Sequence, residues 1–115
     1  YVAMLPHLLD SNIEEFWIIH LNRANHIIKK EKISAGGVSG TVVDQKVIFK
    51  SAIQNLSSSL ILVHNHPSGN IQPSKNDILL TRRLVECGQL LEIPVVDHII
   101  FTNENHYSFA DEGLI

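Results

Sequence analysis

Two histidines and an aspartate stand close together in the sequence, and these residue types bind divalent metals. His64 and His66 end an apolar run, and Asp77 follows after a loop that contains Gly and Pro. Side chains two residues apart on a strand point to the same side, so both imidazoles can converge on one ion. Two imidazoles and one carboxylate form a ligand set of the kind that catalytic zinc uses, with the fourth tetrahedral position left for water. The sequence therefore offers His64, His66 and Asp77 as candidate ligands of a divalent metal such as zinc.

Taken singly, these residues also have ordinary structural explanations. A His-x-His pair occurs by chance in many strands. Asp77 suits the first turn of a helix, where the helix dipole favours an acid, and Ser74 suits the N-cap before it. His98 is the obvious candidate for a fourth ligand, although its apolar neighbours favour a role in the core or behind the ligands. The joint spacing favours the metal site, because packing alone does not require polar groups there.

The elements that must position this site are a buried strand and a capped helix. The run from Leu60 to His66 is typical of a central strand, and Pro67 ends it. Ser74, followed three residues later by Asp77, is a near capping box that opens a helix. The apolar stripe of that helix consists of Leu80, Leu84, Cys87 and Leu91.

The rest of the chain predicts further strands and one more helix. We expect a hairpin of strands at about 14–21 and 26–33, a buried strand at 95–101 and a short strand around 107–109. Asp44 is expected to cap a helix whose apolar positions recur at helical spacing: Ile48, Phe49, Ala52, Ile53 and Leu56. Strands alternating with two helices indicate a mixed sheet with helices packed against it, an α/β (α+β) fold.

Composition limits the class of protein. The 115 residues, 44% of them hydrophobic, suffice for one globular domain. The net charge of −3 does not support nucleic acid as a partner, and no apolar run is long enough for a membrane partner, so we expect a cytoplasmic protein. Cys87 is the single cysteine, which excludes an internal disulfide. Because the first residue is Tyr1, we expect a fragment of a longer chain.

The spacing His64-x-His66-(seven residues)-Ser74-x-x-Asp77 resembles the JAMM metalloprotease motif of the MPN domain superfamily. The stretches LVHNHPSG, PSKND, TRRL and PVVDHII are similar to the RadC branch of that superfamily, which carries Asn between its histidines. The resemblance covers about residues 13–110. It implies a single MPN-like domain at 13–115 with an α-β-α arrangement, and it leaves residues 1–12 as a linker or the end of a preceding helix.

The resemblance also implies roles for individual residues. His64, His66 and Asp77 would hold one zinc ion per chain with an open position for water, and Ser74 would bind the attacking water or the oxyanion by a hydrogen bond. A glutamate on an early strand would act as the general base and acid, and Glu14 and Glu15 compete for that role. Strand alternation allows only one of them to face the metal. The position relative to the following aromatic residue selects Glu14, while the simpler interpretation is that both acids are solvated.

The function that follows is zinc-dependent hydrolysis of a peptide or isopeptide bond in an unidentified protein or peptide substrate. The alternative is a non-catalytic or DNA-repair-associated binding module of the RadC type. A nucleobase deaminase is excluded because its ligand set needs a Cys-x-x-Cys pair, and a serine hydrolase is disfavoured because Gly-x-Ser-x-Gly is missing.

Overall fold

The computed structural model describes residues 13–35, 43–102 and 105–115. Its strands are β1 (Glu15–Leu21), β2 (Ile27–Ala35), β3 (Ser59–Asn65), β4 (Val95–Phe101) and β5 (His106–Ser108). Its helices are α1 (Gln45–Gln54) and α2 (Lys75–Leu90). The predicted role of residues 1–12 as a linker or helix end lies outside the described residues. In the described part of the chain, no helix combines the length and apolar character needed to cross a bilayer.

The five strands form one mixed sheet in the order β2-β1-β3-β4-β5. β1 runs antiparallel to both β2 and β3, β3 is parallel to β4, and β5 returns antiparallel to β4. β3 is central because its residues are apolar on both faces, which a strand covered on both sides requires. The predicted hairpin, central strand and α+β class are therefore confirmed.

The larger core cluster lies between the sheet and the two helices. Phe16 and Leu62 from neighbouring strands meet Phe49 of α1 and Leu84 of α2 in this cluster. Side chains from the opposite face of the sheet form a second cluster, whose buried members are Ile19, Leu21, Val63 and Phe101. Both described helices contribute to the first cluster, whereas all members of the second cluster lie in strands. The described residues therefore contain one helical layer of the expected α-β-α arrangement.

Helix α1 begins where the sequence predicts and ends earlier. The Asp44 carboxylate accepts a hydrogen bond from the backbone N–H of Lys46, as an N-cap should. The assignment of Leu56 to this helix is wrong, because the helix ends at Gln54. Ile53 and Leu56 are 54% and 85% exposed. The chain leaves the helix at Asn55, and Leu56 adopts a left-handed conformation that turns its side chain away from the helix stripe. In α2, Leu91 likewise lies beyond the last helical residue and is exposed.

A buried polar network joins β1, β2 and the end of α1. His20 Nδ1 lies 2.6 Å from Ser57 Oγ, and His20 Nε2 lies 3.0 Å from Glu31 Oε1. The Ser51 hydroxyl donates to the same carboxylate. Burial raises the pKa of Glu31, but the hydrogen bonds from Ser51 and His20 and the positive charge of Lys29 lower it more, so its net pKa is below the usual value. This network lies apart from the predicted site.

Candidate metal centre

Four potential ligand residues converge at the end of the central strand. His64 is the second-last residue of β3, His66 follows the strand, and Asp77 lies in the first turn of α2. Glu14 immediately precedes β1, where Phe16 pairs with His64. One donor atom from each of the four residues lies within 4.8 Å of all the others. The structure therefore brings the three predicted ligands together and adds Glu14 to them.

The separations between donor atoms suit a divalent metal. His64 Nε2 lies 2.9 Å from His66 Nε2 and 3.4 Å from Asp77 Oδ1, and His66 Nε2 lies 3.4 Å from Asp77 Oδ2. In a tetrahedral zinc site with bonds of about 2.0–2.1 Å, neighbouring donors are about 3.3–3.4 Å apart. Glu14 Oε1 is slightly farther away, 3.6 Å from His64 Nε2. The three predicted ligands thus already have nearly the spacing that one ion would impose.

The hydrogen bond at His66 Nδ1 determines which ring nitrogen of His66 can bind a metal. His66 Nδ1 lies 2.7 Å from the carbonyl oxygen of Asn70, which can only accept a hydrogen bond. Nδ1 therefore carries the hydrogen, and in the neutral ring Nε2 keeps a free lone pair directed at the cluster. Converging lone pairs and a carboxylate create a site suited to a cation, so the residues present fit a zinc-type ion.

The electrostatics of the cluster follow from its partial burial. Burial lowers the pKa of His64 to about 4, so this imidazole is neutral at physiological pH. For His66, the hydrogen bond with Asp77 is the largest effect and raises the pKa. Burial raises the pKa of Asp77, but the hydrogen bonds to His66 and Ser74 outweigh it and hold the net pKa below its usual range. Asp77 is therefore a carboxylate, as a metal ligand must be.

Ser74 and Asp77 form a complete capping box. Ser74 Oγ accepts from the backbone N–H of Asp77 at 3.0 Å, and Asp77 Oδ2 accepts from the backbone N–H of Ser74 at 2.8 Å. The capping interpretation of the sequence is thus confirmed. It is compatible with the site, since the cap holds the carboxylate in place and leaves the Ser74 hydroxyl proton free to be donated elsewhere.

The two candidate acids point in different directions. Glu15 approaches Lys32 Nζ at 3.4 Å and the indole nitrogen of Trp17 at 3.5 Å. Glu14 joins the cluster, and burial raises its pKa, an effect that the charge of His66 opposes. The structure therefore places Glu14, the residue that the resemblance selects, beside the predicted ligands.

Asn65 explains why Glu14 is held there. This buried side chain accepts from the backbone N–H of Glu15 at 2.6 Å and donates to the backbone oxygen of Ile13 at 3.0 Å. The two bonds grip the chain on either side of Glu14, at the point where backbone pairing of β1 with β3 ends. Sequence reasoning noted Asn65 only as a family feature and missed this positioning contact.

His98 lies behind His64 rather than in the ligand group. Its Nε2 is 2.7 Å from His64 Nδ1, and its Nδ1 is 2.5 Å from Thr81 Oγ1. Its ring is fully buried, which lowers its pKa well below the usual value. The expectation that His98 supports the ligands from behind agrees with this position, whereas Thr81 was not recognised from the sequence.

An open cleft of about 330 Å³ gives access to the cluster. Glu14, His64 and Asp77 line it together with the exposed Ser74. The remaining wall is partly apolar and partly polar, and it includes Val43, Leu79, Leu80 and Arg83. The cluster is therefore reachable by a molecule larger than water.

Comparison with known proteins places these features in a family. The family model described as the RadC-like JAB domain matches residues 1–114. A UPF0758 protein of Flavobacterium johnsoniae is 42% identical over 113 residues, which are 98% of this chain and 47% of that protein. UPF0758 proteins of Methanosarcina mazei and Porphyromonas gingivalis are 41% and 44% identical, each over the whole chain, which spans 50% and 51% of those proteins. The chain thus spans about half the length of the curated relatives it matches.

Proposed function

This chain belongs to the RadC-like JAB domain family, and from that membership and its site we propose that it is a zinc-dependent hydrolase of peptide or isopeptide bonds. The observation that carries the proposal is the convergence of His64, His66 and Asp77 at the spacing of a tetrahedral site, with Glu14 beside them. Buried or half-buried ionisable groups destabilise a fold unless something compensates them. Such a cluster at the bottom of an open cleft is typical of a functional site.

Each residue of the cluster has a separate task in this proposal. His64, His66 and Asp77 would hold the ion, which when bound supplies a water of lowered pKa and polarises the substrate carbonyl. Glu14 accepts the proton of the attacking water and returns it to the leaving nitrogen. Its raised pKa suits this double role, because a carboxylate that is too weak a base would not take the proton.

Ser74 completes the proposed machinery. Its oxygen already accepts the bond from the Asp77 backbone, so its hydroxyl proton is available for an acceptor in the cleft. A hydroxyl at that place can donate to the negative oxygen that develops when the carbonyl is attacked. The substrate class is inferred from the family resemblance, and the open cleft of about 330 Å³ gives a substrate access to the cluster.

The test combines metal analysis with hydrolysis. Protein purified without added metal should contain about one zinc per chain and should cleave members of a panel of peptides and lysine-linked isopeptides. His66→Ala should lose both properties, and Glu15→Gln should keep both. Zinc near zero that cannot be restored would refute the proposal. One zinc per chain without cleavage of any panel member would favour the non-catalytic binding module instead.

A further inference from the structure

A chain of hydrogen bonds connects the ligand His64 to the backbone of α2. His64 Nδ1 lies 2.7 Å from His98 Nε2, and His98 Nδ1 lies 2.5 Å from Thr81 Oγ1. Thr81 Oγ1 in turn lies 2.7 Å from the carbonyl oxygen of Asp77. The side chains are 2%, 0% and 1% exposed in that order, so water does not compete for these bonds. We call this series the His64 relay.

The direction of every bond in the relay follows from its last member. A carbonyl oxygen can only accept, so the single hydroxyl proton of Thr81 is donated to Asp77. Thr81 Oγ1 must then accept from His98, which places the hydrogen of His98 on Nδ1. The His98 ring is buried between two phenylalanine rings and is neutral, because a charge there would have no solvent. Its Nε2 therefore has no hydrogen and accepts from His64 Nδ1.

We propose that Thr81 and His98 are positioning residues that hold His64 in the Nδ1–H tautomer and so keep Nε2 free for the metal. A neutral imidazole can carry its hydrogen on either nitrogen, and the partner of one nitrogen decides the state of the other. In the opposite tautomer, the hydrogen on Nε2 would point toward His66 and Asp77 and occupy the place of the ion. The inference rests on the proposed function only in assuming that this site binds a metal.

Replacing the Thr81 hydroxyl tests the relay at its origin. Thr81→Val has nearly the same shape but offers His98 no acceptor, so His98 can move its hydrogen to Nε2 and donate to His64. That reversal forces the hydrogen of His64 onto Nε2. Loss of a partner behind a metal ligand weakens binding by about 10- to 100-fold, and we expect Thr81→Val to weaken zinc binding within that range. Thr81→Ser retains the hydroxyl and should bind zinc nearly as the wild type does.

The chain offers a matched control in Ser57→Ala. Ser57 is a buried hydroxyl whose Oγ lies 2.6 Å from the ring of another fully buried histidine, His20. His20 pairs with Leu60, at the far end of β3 from His64. Removing this hydroxyl should lower stability to an extent comparable with Thr81→Val and leave zinc affinity unchanged. A loss of affinity in both variants would mean that general destabilisation is responsible, which would overturn the proposal.

Two measurements decide the inference. Heteronuclear NMR of histidine side chains in the metal-free protein should show Nδ1–H for His64 in the wild type and Nε2–H in Thr81→Val. Competition with a chromophoric chelator should show the weaker zinc binding. Nε2–H in the wild type, unchanged zinc affinity in folded Thr81→Val, or a loss in Thr81→Ser equal to that in Thr81→Val would each overturn the relay. The tautomer of His64 is measured in the wild-type protein, so the proposal can be refuted even if Thr81→Val does not fold.

The experiments distinguish failure of the proposed hydrolase function from failure of the relay. A wild-type protein that binds no zinc would refute the hydrolase, whereas the tautomer of His64 is observed without metal. Zinc binding without hydrolysis would also leave the relay intact and refute only the catalytic role.

Discussion

Replacing Glu14 with Gln removes a proton acceptor and keeps the size of the side chain. The carboxylate lies 3.6 Å from His64 Nε2, and Asn65 grips the backbone on both sides, so Gln should occupy the same position. His64, His66 and Asp77 remain to bind zinc. A positioned general base contributes about 10²–10⁴-fold to a rate, and we expect a loss of at least ~10²-fold in hydrolysis, or about 2.7 kcal/mol in the barrier.

The assay compares Glu14→Gln with Glu15→Gln on one cleavable peptide or isopeptide, with zinc content measured on the same samples. Glu15 is a matched control, because it is the adjacent acid and its carboxylate lies near Lys32 instead of the cluster. Glu15→Gln should change the rate little. Both variants should melt cooperatively and contain about one zinc per chain.

Three results would contradict this reasoning. An active Glu14→Gln beside an inactive Glu15→Gln would reverse the choice of acid. Two active variants would remove the glutamate-assisted mechanism. Loss of zinc in Glu14→Gln would make Glu14 a fourth ligand, and the site would then be closed in the manner of structural zinc.

Three further predictions concern metal removal, packing and pH. His64→Ala and Asp77→Ala should abolish zinc binding but still melt cooperatively by calorimetry, because the main core cluster does not depend on the site; a non-cooperative melt would make the metal structural. Gly88→Ala should lower stability in urea, since a Cβ there would meet the backbone oxygen of Ile93 at 2.5 Å. Such overpacking costs about 1–3 kcal/mol, which exceeds or offsets the ~1 kcal/mol by which Ala is favoured over Gly inside a helix. Unchanged stability would show that the close approach of Gly88 to the Ile93 oxygen is absent. Glu31→Gln should lower the free energy of unfolding at neutral pH, because the lowered pKa of Glu31 means that its ionised form stabilises the fold. The difference in unfolding free energy between this variant and the wild type should shrink as pH falls below the ordinary glutamate pKa. A difference that grew toward acid pH would show that the pKa of Glu31 is not lowered by folding.

The sequence predicted the elements well where local chemistry determines them. Ser74 and Asp77 cap α2 through contacts three residues apart, and Pro94 precedes β4, which begins at the expected Val95. Leu56 was wrongly assigned to α1, because helical spacing does not show where a helix ends. The chain leaves α1 through Leu56, which adopts a left-handed conformation, and no glycine at that position marks the end of the helix in the sequence.

The candidate ligands could be found from the sequence, but the groups that orient them could not. The three ligand candidates lie within 14 residues of one another and have a known spacing. Asn65 acts on the chain 50–52 residues earlier in the sequence, and His98 meets His64 across 34 residues. Such contacts depend on strand order and register, which a pattern along the chain does not contain. Asn65 and His98 also have common structural explanations, so their residue types alone gave little signal.

The orienting groups have an energetic consequence for the metal-free protein. When both rings are neutral, the relay and the Asn70 carbonyl place the hydrogens of His64 and His66 on Nδ1, so the two Nε2 atoms, which lie 2.9 Å apart, each carry a lone pair. Two acceptors at this distance repel each other unless a cation or a shared proton lies between them. Zinc removes that repulsion only in the folded state, so its binding should stabilise the fold, by about 2.7 kcal/mol when free zinc is 100 times its dissociation constant. Thr81→Val relieves the same repulsion without metal, because the hydrogen moves onto Nε2 of His64. The variant should therefore gain less stability from zinc than the wild type does, and an equal gain would show that the two lone pairs do not face each other.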